Sequence, residues 1–272
     1  MFWELVQVSI AAAPLSTTRA FDHASTSNRT RLKQYLESSE AVECHFRQTY
    51  CHSDKSQSMP EVYFELGDAL SYITELYDNV YSPTVSEYVE FLGVKEFEPV
   101  IEDEIAHLFK FLLKLTKPKR ILEIGMSIGY STTSMALAVK EHGGRIMALE
   151  IDENIVPTAK KAFKNYNVDD VIDIRIGDAK EIIRGIESES FDVVFQDASK
   201  RLYPVMLEDC VRVLKKGGLF LIDDTLFPVI REKSDWTDSF RAIHEFNKKI
   251  LKSGVFSTLL PIGEGCTIAV KL

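Results

Sequence analysis

The sequence predicts an α/β fold: a doubly wound, mostly parallel sheet of seven strands that ends in an antiparallel hairpin. After Pro118, short apolar runs alternate with helical stretches, and apolar strands linked by helices are typical of a parallel sheet covered on both faces. Two β-rich runs, VFSTLLPI and CTIAVKL, follow the last helical stretch and are joined by a turn around residues 263–265. A short turn between two such runs indicates a hairpin, so one edge of the sheet should be antiparallel.

The elements follow one another in a regular order. Residues 61–116 precede the first strand and are predicted to hold two helices, because EVYFELGDALSYITELYDNVY and EPVIEDEIAHLFKFLLKLT carry apolar residues at helical spacing. The five parallel strands are predicted at RILEIG, RIMALEI, VIDIRIG, FDVVFQD and GLFLIDD. The later helices are predicted at STTSMALAVKEHG, NIVPTAKKAFKNY, AKEIIRGI, YPVMLEDCVRVLKKGG and DSFRAIHEFNKKILKSG.

Residues 1–58 differ in composition from the rest of the chain. Their stretches rich in Ser, Thr and Asn lack sustained periodicity, which predicts a poorly ordered or peripheral extension. The segment ECHFRQTYCHS contains two Cys-His pairs, but its cysteines are too far apart for a zinc knuckle and no second ligand cluster follows. The folded domain is therefore predicted to span residues 59–272.

Composition limits the class of protein. The formal net charge of −9 disfavours nucleic acid as a partner, although a local basic groove could coexist with that average. The four cysteines are too scattered for a disulfide framework, which favours a reducing, cytoplasmic setting. No apolar run approaches the roughly 20 residues needed to span a bilayer, so no membrane segment is expected.

The first strand ends in a glycine-containing turn. Glu123, Gly125 and Gly129 form the pattern E-x-G-x-x-x-G, and Tyr130 and Ser131 begin the next helix. In doubly wound sheets ligands bind beyond the carboxyl ends of the strands, where glycines let a ligand approach the backbone. The spacing differs from the G-x-G-x-x-G of dinucleotide sites, and a tight strand-to-helix turn would explain the glycines equally well.

Acids end the next two strands. Glu150 closes the second strand, where a carboxylate can accept hydrogen bonds from both hydroxyls of a ribose. Asp178 follows the third strand in GDAKE, next to Ala179, where it could meet the amino group of an adenine or simply cap the following helix. For Asp152 we favour the helix-capping interpretation.

The fourth and fifth strands end in three more acids. Asp197 follows one strand, and Asp223 and Asp224 follow its neighbour, so the three carboxylates could converge above the sheet. Oxygen ligands of this kind suit Mg²⁺, Mn²⁺ or Ca²⁺. The same acids could instead cap helices or line a solvated rim. Lys200 lies close enough in sequence to Asp197 to share the site, and a surface lysine is the alternative.

Taken in order, these motifs resemble those of class I S-adenosylmethionine-dependent methyltransferases, specifically the cation-dependent O-methyltransferase family that includes caffeoyl-CoA and catechol O-methyltransferases. The resemblance covers roughly residues 60–272. It is carried by ILEIGMSIGYST, ALEID, IGDAKE, FQDASKRLY, LFLIDDTLF and LPIGEGCTIAVK. It implies a Rossmann-like fold and binding of S-adenosylmethionine by the following residues: Glu123, Gly125, Gly129, Tyr130, Ser131, Glu150, Asp178, Ala179 and Asp197.

The resemblance also implies roles at the fourth and fifth strand ends. Asp197 and Asp223 match the two metal aspartates of the family, Asp224 stands where the family usually has asparagine, and Lys200 matches the general base of the catechol enzymes. An aspartate at 224 adds a negative charge, which should favour cation binding but make bound Mg²⁺ a weaker Lewis acid. To act as a base at neutral pH, Lys200 needs a pKa lowered by burial or by a nearby metal charge. Ser199 replaces an acid common in the family, which weakens the case for a plant phenylpropanoid substrate.

The implied reaction is methyl transfer to a hydroxyl of a small acceptor that resembles a catechol or another vicinal diol. Two alternatives stay open: a tRNA-modifying O-methyltransferase of the same family, and a nicotinamide-dependent oxidoreductase, which the glycine spacing disfavours. Family members are often dimers, so a homodimer is a further expectation. Phe227 and Trp236, in the loop after the fifth strand, are candidates for an aromatic wall over the acceptor.

Overall fold

The computed structural model describes residues 66–77, 80 and 82–272. The predicted extension over residues 1–58, with its Cys-His pairs, lies outside the described residues, so the predictions made for it remain predictions. The chain divides into a unit Met1–Val80 and a unit Tyr81–Leu272. In the first unit the structure describes helix α1, Leu66–Tyr77. All other elements that the structure describes belong to the second unit.

The second unit contains the predicted seven-stranded sheet. The strand order is β3-β2-β1-β4-β5-β7-β6, with β1 to β5 parallel to one another and the last two strands antiparallel. This order confirms the doubly wound fold and the terminal hairpin. The strands are β1 Arg120–Ile124, β2 Arg145–Glu150, β3 Ile172–Ile176, β4 Phe191–Gln196, β5 Leu214–Ile222, β6 Val255–Leu260 and β7 Cys266–Lys271.

Helices cover both faces of this sheet. They are α2 Val85–Leu92, α3 Asp103–Thr116, α4 Tyr130–Val139, α5 Val156–Asn165, α6 Ala179–Arg184, α7 Tyr203–Val213 and α8 Asp238–Ile250. One buried cluster joins α2, α3, α4 and α5 to one face, and a second joins α6, α7 and α8 to the other. Within the described ranges, no helix is long and apolar enough to cross a membrane.

One additional helix and one strand boundary differ from the sequence prediction. The span 61–116 holds three described helices where two were predicted, because Thr84 and Glu87 form a reciprocal capping box that starts α2. Strand β5 begins at Leu214, so the segment LKKGG, predicted as a helix end, belongs to the strand. Glycine is a poor helix former, and Gly217 adopts a positive φ of 74° that a right-handed helix excludes.

The turn of the C-terminal hairpin fixes the loop after β5. The backbone N–H of Thr225 donates to the carbonyl of Gly265 at 2.8 Å, and that of Leu226 donates to the carbonyl of Glu264 at 2.9 Å. A Cβ on Gly265 would lie 2.5 Å from the backbone nitrogen of Leu226, so only glycine permits this approach. Because β7 pairs with β5, the hairpin brings its turn to the carboxyl end of the parallel strands.

Phe109 of α3 tests the packing of the first core cluster. Its ring is fully buried and meets Phe195 of β4 edge to face, with the ring centroids 4.9 Å apart. We expect Phe109→Ala to lower the free energy of unfolding by about 3–5 kcal/mol, measured by urea denaturation, because it leaves a cavity. Phe111 lies on the same helix but is 60% exposed, so Phe111→Ala should change the same quantity by less than about 0.5 kcal/mol. Equal losses in the two variants would contradict the packing described.

Candidate active site

The ends of β1, β4 and β5 lie side by side. Ile124 pairs with Gln196, and Gln196 pairs with Ile222, so the residues that follow these three strands reach the same level of the sheet. A Cβ on Gly125 would lie 2.3 Å from the carbonyl oxygen of Asp197, and Gly125 adopts a φ of 93°. Glycine is therefore required at this position by both the close approach and the left-handed backbone.

Gly129 plays a comparable part at the end of the same turn. It adopts a φ of 85° directly before α4, and a Cβ there would lie 2.6 Å from the ring of Phe163. The turn from Gly125 to Gly129 thus packs tightly against β4 on one side and α5 on the other. The predicted glycine turn has a structural reason in both of its glycines, independent of any ligand.

Glu123 is a buried carboxyl group beneath this turn. Its Oε1 accepts a hydrogen bond from Oγ of Ser131 at 2.5 Å, whereas its Oε2 is buried without a hydrogen-bond partner among the described residues. Burial raises the pKa of Glu123 to about 8. The structure therefore joins two predicted site residues, Glu123 and Ser131, in one buried contact.

Glu150 is held by the backbone of two loops. Its Oε2 accepts from the N–H groups of Met126 at 3.2 Å and Ser127 at 2.7 Å, and its Oε1 accepts from those of Ile151 at 2.8 Å and Asp152 at 2.9 Å. A carboxylate offers about four acceptor positions, so these bonds use its capacity. Glu150 thus ties the turn after β1 to the end of β2, and ribose hydroxyls would have to share these oxygens with the backbone.

Tyr130 is directed toward α3. Its hydroxyl donates to Oδ1 of Asp103 at 2.5 Å and lies 3.1 Å from the carbonyl oxygen of Pro83, and its side chain is buried. The phenol therefore fastens the start of α4 to the segment before α2 and to the start of α3. The contact between Tyr130 and a cofactor stays a prediction. The hydrogen bonds that the structure describes for its hydroxyl join parts of the protein to one another.

Asp178 caps a helix. Its Oδ1 accepts from the backbone N–H of Lys180 at 2.9 Å, and Ala179 is the first residue of α6. Asp152 instead closes a local turn, with its Oδ1 accepting from the backbone N–H of Asn154 at 2.9 Å, while α5 begins only at Val156. The capping alternative considered for Asp178 is thus present in the structure, and the one favoured for Asp152 is replaced by a turn.

Asp197, Asp223 and Asp224 come together at the ends of β4 and β5. Each offers a carboxylate oxygen, and these three oxygens lie within 4.8 Å of one another. Asp223 is only 2% exposed, and its Oδ1 has no hydrogen-bond partner in the described part of the chain. A buried oxygen without a partner among convergent carboxylates fits a divalent cation, because hard cations take oxygen ligands in this way.

The backbone of Asp224 is left-handed, with a φ of 59°. Aspartate and asparagine tolerate this conformation better than most side chains. The aspartate at position 224 is therefore compatible with the local backbone.

Lys200 supplies the positive charge among these acids. Its Nζ lies 2.8 Å from Oδ1 of Asp197 and is ion-paired with Oδ2 of Asp224, and its side chain is 15% exposed. Burial alone would lower the pKa of Lys200, but its contacts with Tyr203 and the two aspartates outweigh burial and raise that pKa well above its usual value. This is opposite to the lowered pKa that a general base requires, so in the structure described Lys200 is a counter-ion.

Buried acids next to Lys200 have raised pKa values. Burial raises the pKa of Asp223 well above its usual range, and the neighbouring Asp224 adds to this effect. Burial likewise raises the pKa of Asp197, although Lys200 opposes that change. The ionised forms of these acids are thus poorly solvated and repel one another, so a bound cation would stabilise them in the ionised state.

Three further residues lie near the cluster. Tyr203 is fully buried, with its hydroxyl 3.2 Å from Nζ of Lys200. Glu102, just before α3, has a buried Oε2 without a partner in the described ranges, and burial together with Asp224 raises its pKa to about 8. Gln196 is fully buried, and its Nε2 likewise lacks a partner there. Tyr203 and Glu102 were not identified from the sequence, although Tyr203 follows Lys200 by three residues within FQDASKRLY. Gln196 was recognisable as a polar residue at the end of an apolar strand, without an assigned role.

The two predicted aromatic residues have different surroundings. The ring centroid of Phe227 lies 5.8 Å from Nζ of Lys200, so this ring borders the acidic cluster. Trp236 donates its indole N–H to the carbonyl of Arg231 at 3.1 Å and packs on His244, with the ring centroids 4.9 Å apart. Phe227 is thus placed as an aromatic wall requires, whereas the described contacts of Trp236 are within its own loop and with α8.

A family model described as O-methyltransferase matches residues 78–272. The protein named "Probable caffeoyl-CoA O-methyltransferase 1" of Dictyostelium discoideum is 31% identical over 176 residues, which cover 62% of this chain and 76% of that protein. Catechol O-methyltransferase domain-containing protein 1 of Mus musculus is 29% identical over 180 residues, covering 62% and 66% of the two chains. The crystal structure of the SAH-bound methyltransferase of Podospora anserina superposes with a TM-score of 0.65 at 22% identity, covering 79% and 99%, which supports the fold.

The buried carboxyl of Glu123 predicts a pH-dependent stability. Its pKa is raised from 4.5 to about 8 in the folded chain, so between these values the unfolded chain ionises while the folded chain keeps the proton. The stability contributed by the protonated group is full below about pH 4.5 and is lost as the pH rises toward 8. The side chain of Glu123→Gln cannot ionise, so this variant should not lose that stability. The difference in free energy of unfolding, variant minus wild type, should therefore increase by on the order of 1 kcal/mol per pH unit between pH 5 and 8.

Urea denaturation at pH 5, 6, 7 and 8 would measure this difference. Glu187 lies on an exposed loop, and Glu187→Gln should give a curve parallel to that of the wild type. A Glu123→Gln curve that is also parallel to the wild-type curve would contradict the raised pKa.

Proposed function

Because the chain belongs to the O-methyltransferase family, we propose that it transfers a methyl group from S-adenosylmethionine to one hydroxyl of a small acceptor, with the help of a divalent cation. The chain is therefore an enzyme that uses S-adenosylmethionine, as its motifs predicted. The observation that carries the cation-assisted form of the proposal is the convergence of Asp197, Asp223 and Asp224 beside Lys200.

The methyl donor would bind over the ends of β1 and β2. S-Adenosylmethionine supplies the methyl group, attached to a positively charged sulfur. The polar features described on that side are the turn from Gly125 to Gly129, the carboxylate of Glu150 and Glu123, whose buried Oε2 has no hydrogen-bond partner among the described residues. Ile151 follows Glu150 and is 73% exposed, so it offers an apolar surface to an adenine ring.

The cation would bind to Asp197, Asp223 and Asp224. A bound divalent cation lowers the pKa of a hydroxyl group that contacts it. Three carboxylic acids converge there with Lys200 beside them, and Oδ1 of Asp223, which has no hydrogen-bond partner among the described residues, is a candidate ligand atom. Mg²⁺ is the expected ion, and Mn²⁺ and Ca²⁺ are compatible with the same ligand type.

Lys200 would receive the proton from the acceptor hydroxyl. In the structure described, its ammonium pairs with Asp197 and Asp224, and these contacts raise its pKa. Those contacts have to be replaced before the lysine can act as a base, because a raised pKa keeps the proton on Nζ. A positive charge beside Lys200 lowers its pKa, so cation binding and base activity are coupled in this proposal.

A flat, hydroxylated acceptor suits the surroundings of the cluster. The ring of Phe227 borders Lys200 and provides a face for aromatic packing. A catechol or another vicinal diol would present two neighbouring oxygens to a site made of hard oxygen ligands. No feature of the described residues favours a tRNA acceptor, which the test below separates from small molecules.

Methyl transfer from labelled S-adenosylmethionine to catechols, other vicinal diols and tRNA, with and without Mg²⁺, tests the proposal. We expect label in a vicinal diol, and a loss of turnover on chelation. Asp223→Asn should lower kcat/KM by about 100-fold, because it removes a charged ligand from the cation site. Asp170 pairs with Lys140 on the surface, and Asp170→Asn should leave turnover unchanged.

Two results would contradict parts of this proposal separately. Label found in tRNA alone would replace the acceptor class and leave the methyltransferase assignment intact. Turnover that is unaffected by both chelation and Asp223→Asn would remove the cation from the proposal.

Gly125→Ala tests the donor site. Its Cβ would meet the carbonyl oxygen of Asp197 at 2.3 Å, so the turn or the end of β4 must move. We expect the affinity for S-adenosylhomocysteine, measured by calorimetry, to fall at least about 10-fold. Gly93 also has a positive φ, of 70°, but nothing lies within 4 Å of its added Cβ, so Gly93→Ala should cost stability and leave this affinity unchanged. Unchanged affinity in Gly125→Ala would place the donor elsewhere.

A further inference from the structure

Tyr203 is a buried tyrosine at the start of α7. Its ring meets Phe246 of α8 edge to face, with the centroids 5.5 Å apart, so packing alone would accept a phenylalanine. A buried hydroxyl costs free energy unless it forms hydrogen bonds. Ring packing therefore does not explain the hydroxyl group, whose hydrogen bonds have to be considered separately.

The described contacts of the hydroxyl lie at the acidic cluster or directly beside it. Nζ of Lys200 donates to the hydroxyl oxygen at 3.2 Å, and the hydroxyl lies 3.4 Å from the carbonyl oxygen of Gln196, next to Asp197. Lys200 has three polar partners among the described residues: Asp197, Asp224 and Tyr203. Two of these three are also the proposed cation ligands.

A lysine and a divalent cation compete for the same carboxylate oxygens. An aspartate oxygen directed at a cation is a poorer partner for an ammonium, and the two positive charges repel each other. Once Asp197 and Asp224 are engaged by a cation, the hydroxyl oxygen of Tyr203 is the partner of Lys200 that remains. Without it, a side chain that is 15% exposed would keep a charge with no hydrogen-bond partner in the described part of the site, which is costly.

We propose that Tyr203 is a positioning residue, which holds the amino group of Lys200 beside the reaction centre when Asp197 and Asp224 bind the cation. The inference rests on the cation site of the proposed function. It predicts that the phenol increases the affinity for the cation, because its hydroxyl oxygen accepts a hydrogen bond from the displaced ammonium of Lys200.

Mn²⁺ binding in the absence of methyl donor and acceptor tests this role without any measurement of turnover. Tyr203→Phe should weaken Mn²⁺ binding about 10-fold, equivalent to about 1.4 kcal/mol. Lys200→Met removes the competing ammonium and should bind Mn²⁺ more tightly than the wild type. In the Lys200→Met background, Tyr203→Phe should leave the affinity unchanged, because no lysine remains to be placed.

Control variants separate this role from a structural one. Tyr88 is another buried tyrosine, with hydrogen bonds to the carbonyl of Ile128 and to Thr133, and Tyr88→Phe should not change Mn²⁺ affinity. If Tyr203→Phe fails to fold, Tyr203→Gln retains an oxygen acceptor and should bind Mn²⁺ more tightly than Tyr203→Leu. Melting temperatures of all variants establish that the folded state is being compared.

The outcomes are distinct. An equal effect of Tyr203→Phe in the wild-type and Lys200→Met backgrounds, or no effect in either, overturns the assignment of Tyr203 and leaves the proposed cation site standing. A wild-type protein that binds no Mn²⁺ overturns both.

Discussion

The structure depends on how three aspartates are accommodated at the carboxyl ends of β4 and β5. Their oxygens lie within 4.8 Å of one another, and Asp223 is almost fully buried. Like charges at this distance repel strongly where water is scarce, so the site needs either positive charge among the carboxylates or a proton on one of them. Lys200 provides that charge in the structure described. Lys200 and a divalent cation would have to share the same carboxylate oxygens.

Neighbouring loops hold that arrangement in place through contacts that leave little room for change. Gly125 brings the end of β1 against the carbonyl of Asp197, and Gly265 brings the hairpin turn against the loop after Asp224. Glu150 fastens the turn after β1 through backbone N–H groups. The proposed donor site and the proposed cation site are therefore joined by backbone contacts. Substitution of either glycine is expected to alter both the proposed donor site and the proposed cation site.

The fold and the meeting of the strand-end acids could be predicted because both follow from local pattern and sheet geometry. Parallel strands end at one edge, so Asp197 and Asp223 had to come close. The family membership was also confirmed, since the motifs occur in order. Two features depend on side-chain direction and on loops that are distant in sequence. They are the contacts of Glu150 with four backbone N–H groups and the position of Glu102 near Asp224. The pattern of one chain does not contain that information. Helix α2 was missed because it is short and recognisable mainly by its capping box.

Strand β7 lies between β5 and β6, although it follows both in the chain. On the ribosome, β5 therefore keeps an unpaired edge until β7 has emerged, and β6 has no neighbour to join until then. The carbonyls of Glu264 and Gly265, which hold the loop after Asp224, are made just before that strand. The loop after Asp224 therefore gains these two backbone contacts only after β6 has been made, when the turn of the hairpin emerges.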